Sequence, residues 1–371
     1  MTKKLKVMTI FGTRPEAIKM APIVLQLQQQ TDKFVPITVV TAQHREMLDQ
    51  VLTIFKIKPD YDLNIMRPNQ TLAGITSRVL TKLDAIMTEV QPDIVLVHGD
   101  TTTTFAASVS AFYHQIPVGH VEAGLRTWNK YSPYPEEMNR QLTDVLADLY
   151  FAPTALSREN LLKENHADAH ITITGNTAID ALKQTVSADY HHAALDLIQP
   201  GHRMILLTMH RRENQGAPME AVFKTIKAVV ASHPDVEVVY PVHLSPAVQT
   251  VAKRILGHTD RIHLIDPLDV VDFHNMSARS YFIMTDSGGV QEEAPSLNKP
   301  VLVLRDTTER PEGVTAGTLE LVGTQPAHVQ AAMERLLDDQ AEYDRMAAAK
   351  NPYGDGHAAE YILAAIWKRF N

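Results

Sequence analysis

The chain contains no cysteine, which excludes disulfides, thiolate catalysis and cysteine-ligated metals together. Long apolar runs are also missing, since no stretch approaches the ~20 residues that a membrane-spanning helix needs. No basic run stands out among 35 Lys+Arg against 43 Asp+Glu, a net charge of -8, and this argues against a nucleic-acid partner. Any phosphate site must therefore be a local cluster inside an acidic protein. The stretch MTKKLKVMTIFGTRPE has lysines and a short apolar run, but the run meets Arg14 too soon for a signal peptide, so the expected location is the cytoplasm. There is no GxGxxG, no Walker A loop and no HExxH, so a dinucleotide cofactor, a P-loop site and a zincin site all lose their usual sequence support. Neither a cofactor nor a metal is expected. One Asp-x-Asp occurs, at Asp60 to Asp62. That pattern can carry a divalent cation on a nucleotide diphosphate, but beside Pro59 it reads as a solvated turn.

What is present is a long alternation of β-branched runs with helical patterns. With 371 residues and 44% apolar content, the chain has material for two cores of ordinary domain size. LKVMTIFG, FVPITVVTA, DIVLVHG, VGHVEA, LYFAP and ITITG form a first strand series. MILLTMH, VEVVYPVH, RIHLIDPL, YFIMTDS and PVLVLRD form a second. Between them, residues 187 to 203 have loop-like composition. The pattern predicts an α/β protein with parallel sheets covered by helices, built as two Rossmann-like domains that face a central cleft. The expected domains are 1–186 and 187–356, with a last helix over 357–371 packing back on the first.

In open parallel sheets, ligands bind beyond the carboxyl ends of the strands. The residues just after each strand are therefore the candidates. The first strand runs into FGTRPEAIKMAP, where Arg14, Glu16 and Lys19 crowd a helix start in place of a glycine-rich cradle. Asp100 follows DIVLVHG, although an Asp before a threonine-rich helix start is also an ordinary N-cap. Glu122 ends a buried strand and must meet a partner or a ligand. Glu136 lies in YPEE, where acids also suit the first turn of a helix. In the second series His210 sits between an apolar strand and two arginines, and Arg310 follows PVLVLR. The turn DSGG, at Asp286 to Gly289, offers unpaired amides at a helix start, an anion site unless Asp286 or Ser287 merely caps the helix. Glu292 and Glu293 suit the helix dipole, or one of them accepts the two hydroxyls of a ribose.

The stretches FGTRPEAIKMAP, TAQHREMLDQVL, HGDTTTT, HVEAGLRT, PEEMNRQLTD, TGNTAIDAL, HRREN, YPVH, TDSGGVQEEAPSL, RDTTERPEGVTAGT and NPYGDG occur in this order along the chain. Through them it closely resembles the bacterial non-hydrolysing UDP-N-acetylglucosamine 2-epimerases, almost end to end. The resemblance implies the GT-B fold and interconversion of UDP-N-acetylglucosamine and UDP-N-acetylmannosamine, through elimination of UDP to 2-acetamidoglucal and re-addition. It implies a homodimer and a supply of N-acetylmannosamine units for cell-surface polysaccharide. Asp100, Glu122, Glu136 and His210 match positions tied to catalysis, and Arg14 and Lys19 match positions that hold the diphosphate. Phe273, Ser287, Gly288, Glu293 and Arg310 match the uridine-diphosphate site, which selects Glu293 for the ribose. Gln43, Gln70, Arg211 and His243 resemble a neighbouring site at which the substrate activates the enzyme. Met209, Glu46 and Asn69 depart from residues that relatives often carry. Which carboxylate serves which face of the sugar stays open.

Overall fold

A computed structural model describes residues 3–43 and 45–371. The chain divides into two compact units, the first Met1–Ala181 with Tyr353–Asn371 and the second Leu182–Pro352. Each unit is a parallel sheet with helices on both faces, so the chain carries the two Rossmann-like domains of the GT-B class.

The first unit contains strands β1 (Leu5–Phe11), β2 (Phe34–Val40), β3 (Tyr61–Asp62), β4 (Ile94–His98), β5 (Val118–Val121), β6 (Leu149–Ala152) and β7 (Ile171–Ile173). Their order across the sheet is β3-β2-β1-β4-β5-β6-β7. Successive side chains of a strand point to opposite faces, and both faces of this sheet are covered. Val7 and Phe11 of β1 therefore enter one core with Met20, Val24 and Leu27, while Met8 and Ile10 enter another with Val79, Leu83 and Ala107. The near-continuous apolar reading of LKVMTIF follows from that double burial.

The helix Ala358–Phe370 belongs to this first unit. Its Ala359, Ile362, Leu363 and Ile366 complete the core that holds Val24 and Leu27. Trp367 meets Phe34 edge-on, with ring centroids 5.6 Å apart. The first amides of this helix have no intrahelical partner. Asp180 accepts them, from Ala358 at 3.2 Å and Ala359 at 2.9 Å. Just before it the chain returns against Gly175: a Cβ on Gly175 would stand 2.9 Å from the Gly354 Cα, and both residues have positive φ. Only glycine allows two backbones to come so close in that conformation.

The second unit contains β8 (Arg203–Thr208), β9 (Val236–Pro241), β10 (Ile262–Ile265), β11 (Phe282–Thr285), β12 (Val301–Val303) and β13 (Leu319–Leu321). Its order is β10-β9-β8-β11-β12-β13. Ile205 and Leu207 of β8 enter one core with Phe223 and Tyr240, and Met204 and Leu206 enter the other with Ile283 and Val301.

Both sheets have a switch point. In the first, β1 pairs with β2 on one side and β4 on the other. In the second, β8 pairs with β9 and β11. Connections leave in opposite directions from these strands, so the loops after β1 and β4, and after β8 and β11, part and leave a crevice at the carboxyl edge.

Candidate active site

In the first unit, the loop after β1 is short because a capping box closes it. Thr13 caps the helix Arg14–Gln29, Pro15 sits in its first turn, and the Glu16 side chain reaches back. Glu16 is 1% exposed. Its Oε2 accepts the amides of Gly12 at 3.0 Å and Thr13 at 2.8 Å, and its Oε1 lies 2.6 Å from Thr101 Oγ1 and 3.0 Å from Thr104 Oγ1. One side chain thus joins the turn after β1 to the turn after β4. Burial pushes the Glu16 carboxyl up from its ordinary range, against the hydrogen bonds that favour the anion. Gly12 is needed for packing, since a Cβ there would stand 1.8 Å from Thr41 Oγ1. Arg14, at the start of the helix, is half-buried.

Asp100 is not the cap of the helix Thr102–Tyr113. That role falls to Thr101, whose hydroxyl accepts the Thr104 amide at 3.1 Å. Asp100 instead receives Arg140 Nη2 at 2.5 Å, and its carbonyl accepts Asn139 Nδ2 at 2.9 Å. The loop is held from beneath as well, because His120 Nε2 lies 2.7 Å from the Gly99 carbonyl and its Nδ1 lies 2.6 Å from Asp144. Asp144 also takes Arg126 at 2.5 Å. Burial pushes the Asp144 carboxyl up, but His120 and Arg126 more than offset this and leave it below the ordinary range.

Glu122 follows β5 with φ +66, a conformation a side chain rarely adopts. Such backbone strain clusters at functional sites. Its carboxylate pairs with Lys19, accepts Asn176 Nδ2 at 2.9 Å, and stands 3.7 Å from His98 Nε2. A Cβ on Gly99 would come within 3.3 Å of Glu122 Oε2, so this carboxylate borders the turn that carries Asp100. Burial pulls His98 down to about 4, against the opposing charge of Glu122.

The two acids of YPEE divide their work. Glu137 is fully buried and accepts the Thr127 and Trp128 amides, each at 3.0 Å. Glu136, the first residue of the helix Glu136–Leu146, is half-buried.

In the second unit the DSGG turn differs from its reading as a cap. Ser287 precedes the short helix Gly288–Glu293 but its hydroxyl makes no capping bond. Asp286 is fully buried and reaches across to the turn after β8. It accepts the amides of His210 at 2.9 Å and Arg211 at 2.8 Å, and Asn214 Nδ2 at 3.0 Å. His210 Nδ1 stands 3.5 Å from the same carboxylate, and its ring stacks on His243 at 5.3 Å. Burial lowers the His210 pKa, Asp286 opposes that shift, and His243 and Arg211 reinforce it.

Arg310 lies over Gly288, where a Cβ would meet its Nη1 at 2.9 Å. Its Nε donates to Glu292 at 2.9 Å. Glu292 is buried, whereas Glu293 is half-buried with His274 Nε2 3.4 Å away. Phe273 packs on the nearby core with its surface half-open. A cavity of about 560 Å³ lies at the carboxyl end of β10, lined by Val242, Ile265 to Leu268 and Asp272 among others.

The residues resembling an effector site fall in two groups. Gln43 accepts Thr103 Oγ1 at 3.1 Å and its carbonyl accepts Gln70 Nε2 at 3.3 Å, in the first unit. Arg211 and His243 flank His210 in the second. Glu46 and Asn69 are both exposed. Asp60 accepts the Thr38 amide at 2.7 Å and Asp62 pairs with Arg45, so the Asp-x-Asp fastens an edge strand. Among the described residues, no three His, Asp or Glu side chains gather as a metal site, and no helix is long and apolar enough to cross a membrane.

Sequence reasoning did not single out Arg140, Asn176 or His120, nor the bracing roles of Asp286 and Glu16. Asp286 carried a signal, since it ends a strand at a switch point, but the competing reading as a cap used the same residue.

A family model described as UDP-N-acetylglucosamine 2-epimerase matches residues 26–367. The chain is 62% identical over 366 residues to the UDP-N-acetylglucosamine 2-epimerase of Bacillus subtilis, covering 98% of this chain and 95% of that protein. It is 55% identical over 371 residues to the enzyme of that name from Escherichia coli K12, covering 98% of each. Among solved structures, it resembles the UDP-GlcNAc 2-epimerase of Neisseria meningitidis bound to UDP-GlcNAc, with a TM-score of 0.87 and 48% identity over 98% of this chain and all of that one.

Proposed function

Because the chain belongs to the UDP-N-acetylglucosamine 2-epimerase family, we propose that it interconverts UDP-N-acetylglucosamine and UDP-N-acetylmannosamine by elimination and re-addition of UDP. The C2 hydrogen of the sugar is not next to a carbonyl, so its direct removal at neutral pH is very hard. When the C1–oxygen bond breaks, C1 becomes cation-like and the C2 hydrogen becomes acidic. A base takes that proton, the C–H electron pair forms the C1=C2 bond of 2-acetamidoglucal, and UDP leaves with the C1–oxygen pair. An acid on the opposite face then protonates C2 while the UDP oxygen returns to C1. Atoms and electrons balance without an oxidant.

The observation that carries this reading is the way Asp100 and Glu122 are held. Each is fixed by a cation, Arg140 and Lys19 respectively, at neighbouring strand ends and outside any capping role. Two carboxylates placed so are suited to proton transfer, with Glu136 as the third acid of the set. Positive charge belongs where the diphosphate leaves, a part for Arg14, Lys19, His210 and Arg310. Ser287 and Gly288 offer a hydroxyl and an amide to the phosphates, Glu293 takes the ribose, and Phe273 borders the base. Gln43 and Gln70 in the first unit and Arg211 and His243 in the second are the candidates for substrate activation. The setting is a cytoplasmic homodimer that supplies N-acetylmannosamine units for cell-surface polysaccharide.

The test is incubation with UDP-N-acetylglucosamine in deuterated water. Deuterium is expected at C2 of both epimers, with UDP-N-acetylmannosamine as the product. Retention of the C2 hydrogen through epimerisation would sink the elimination route, and release of free N-acetylmannosamine with UDP would make the chain a hydrolysing epimerase. A reverse reaction at full speed from UDP-N-acetylmannosamine alone would remove the activating site.

A further inference from the structure

Glu16 is buried, no cation pairs with it among the described residues, and two amides and two hydroxyls converge on its oxygens. Thr104 has one hydroxyl proton, and its Oγ1 lies 2.5 Å from the His98 carbonyl, an acceptor only. That contact uses the proton. Thr104 Oγ1 also lies 3.0 Å from Glu16 Oε1 and 3.2 Å from Thr101 Oγ1, so with its own proton on the carbonyl it stands ready to accept one from the carboxyl. Thr101 has one of its own, but its Oγ1 already accepts the Thr104 amide at 3.1 Å and stands 2.6 Å from the same Glu16 Oε1. The Thr101 proton can meet Glu16 or Thr104, and a proton on the Glu16 carboxyl fills the contact with Thr104.

We propose that Glu16 is held as a neutral carboxylic acid, its Oε1 proton donated to Thr104, and that it is the positioning residue joining the Arg14 turn to the Asp100 turn. The other oxygen fits this assignment, because Oε2 receives only the two N–H donors of Gly12 and Thr13 and so behaves as the carbonyl. The direction in which burial moves this carboxyl agrees with it. The inference rests on the proposed function in one respect. A fixed negative charge beneath this edge would oppose a diphosphate, and a neutral acid gives the same bracing without that charge.

Difference infrared spectra of the parent protein against Glu16→Gln test the protonation without reference to activity. A carbonyl stretch of a buried protonated carboxyl is expected at neutral pH, absent from the variant. Its absence from the parent overturns the proposal. The second readout is turnover of UDP-N-acetylglucosamine. Glutamine keeps the side chain neutral, with its carbonyl on the Gly12 and Thr13 amides, its NH₂ donating to Thr104 and the Thr101 hydroxyl turned to Thr104 Oγ1 3.2 Å away, so Glu16→Gln should keep most of the parent's turnover. Glu16→Ala frees both turns and should lose on the order of 10²-fold, as for a catalytic group displaced by ~1 Å. A Glu16→Gln protein as impaired as Glu16→Ala overturns the proposal even if the alanine variant folds poorly. A parent protein without epimerase activity would bear on the function and leave the infrared result standing.

Discussion

Glu16 and Asp286 do the same work from opposite sides of their switch points, Glu16 from the helix after β1 and Asp286 from the turn after β11. Each is a buried carboxyl at a switch point, and each ties together two loops that leave the sheet in opposite directions. Their surroundings differ in kind. Asp286 meets N–H groups alone, from His210, Arg211 and Asn214, so it serves as acceptor in every bond. Glu16 meets two amides on one side and two hydroxyls on the other, and hydroxyls can receive a proton as well as give one. The second unit therefore stores negative charge under a histidine, while the first braces its loops with a group that need carry none. The same topological need, holding a crevice open at its root, has been met by two electrostatic solutions. Under the proposed function the first unit carries the carboxylates for proton transfer, and the second carries Ser287, Gly288 and Arg310 for the diphosphate.

The largest expected effect tests that division directly. Asp100→Asn, Glu122→Gln, Glu136→Gln and His210→Ala should each lower turnover by on the order of 10²-fold or more while the protein stays folded. Deuterium exchange at C2 should fall with turnover in the three carboxamide variants. Any one of them with near-parental kinetics returns that residue to a structural role and weakens the assignment of proton transfer to the first unit.

An intermediate effect concerns two histidines, each beside a carboxylate of its own unit, His98 near Glu122 and His210 near Asp286. His98 is buried and pulled down to about 4, whereas His210 is partly open and lowered by a mixture of causes. An unfolded His98 binds a proton below about pH 6.5, and the folded one refuses it until about pH 4. The unfolded state thus holds more protons in this window, so stability is full above pH 6.5 and is lost as pH falls towards 4. The loss amounts to roughly 3 kcal/mol. Denaturant unfolding of the parent and of His98→Asn at several pH values checks it. A parent whose acid sensitivity matches that of the variant would contradict the burial argument.

The smallest effect sharpens the comparison most. Changing carboxyl to carboxamide at position 286 removes a charge that supports protonation of His210, so the His210 titration in Asp286→Asn should move further down. The same chemical change at position 16 removes no charge if the acid is neutral. An NMR titration of the His210 ring in the parent and in Asp286→Asn checks the first half of this contrast, and an unmoved His210 in Asp286→Asn would end it.

Much of this was legible in the sequence because it depends on period and order. Alternating β-branched and helical runs give parallel sheets, and strand ends locate candidate residues without knowledge of side-chain contacts. Asp100, Glu122 and His210 were found that way. What stayed hidden was which of two neighbours takes which task. Asp100 and Thr101 both suit a cap, and the hydroxyl won it. Glu136 and Glu137 both suit a first turn, and one turned inward to hold the Thr127 and Trp128 amides. Asp286 looked like the start of its own helix but serves a loop 75 residues earlier at Arg211. Long-range partners of this kind leave no local pattern, because nothing in DSGG distinguishes a cap from a clamp.

The close approach of Gly175 and Gly354, and the helix beyond it, also fix an order of events during synthesis. The first unit draws on both the opening 181 residues and the last 19, so its core lacks Ala359, Ile362, Leu363 and Ile366 until the final helix has left the ribosome. Leu182–Pro352 is one unbroken segment and needs nothing from outside to close its own sheet. Domains generally fold as units while the chain emerges, the N-terminal one first. In this chain the half that is made second is the one that can finish first.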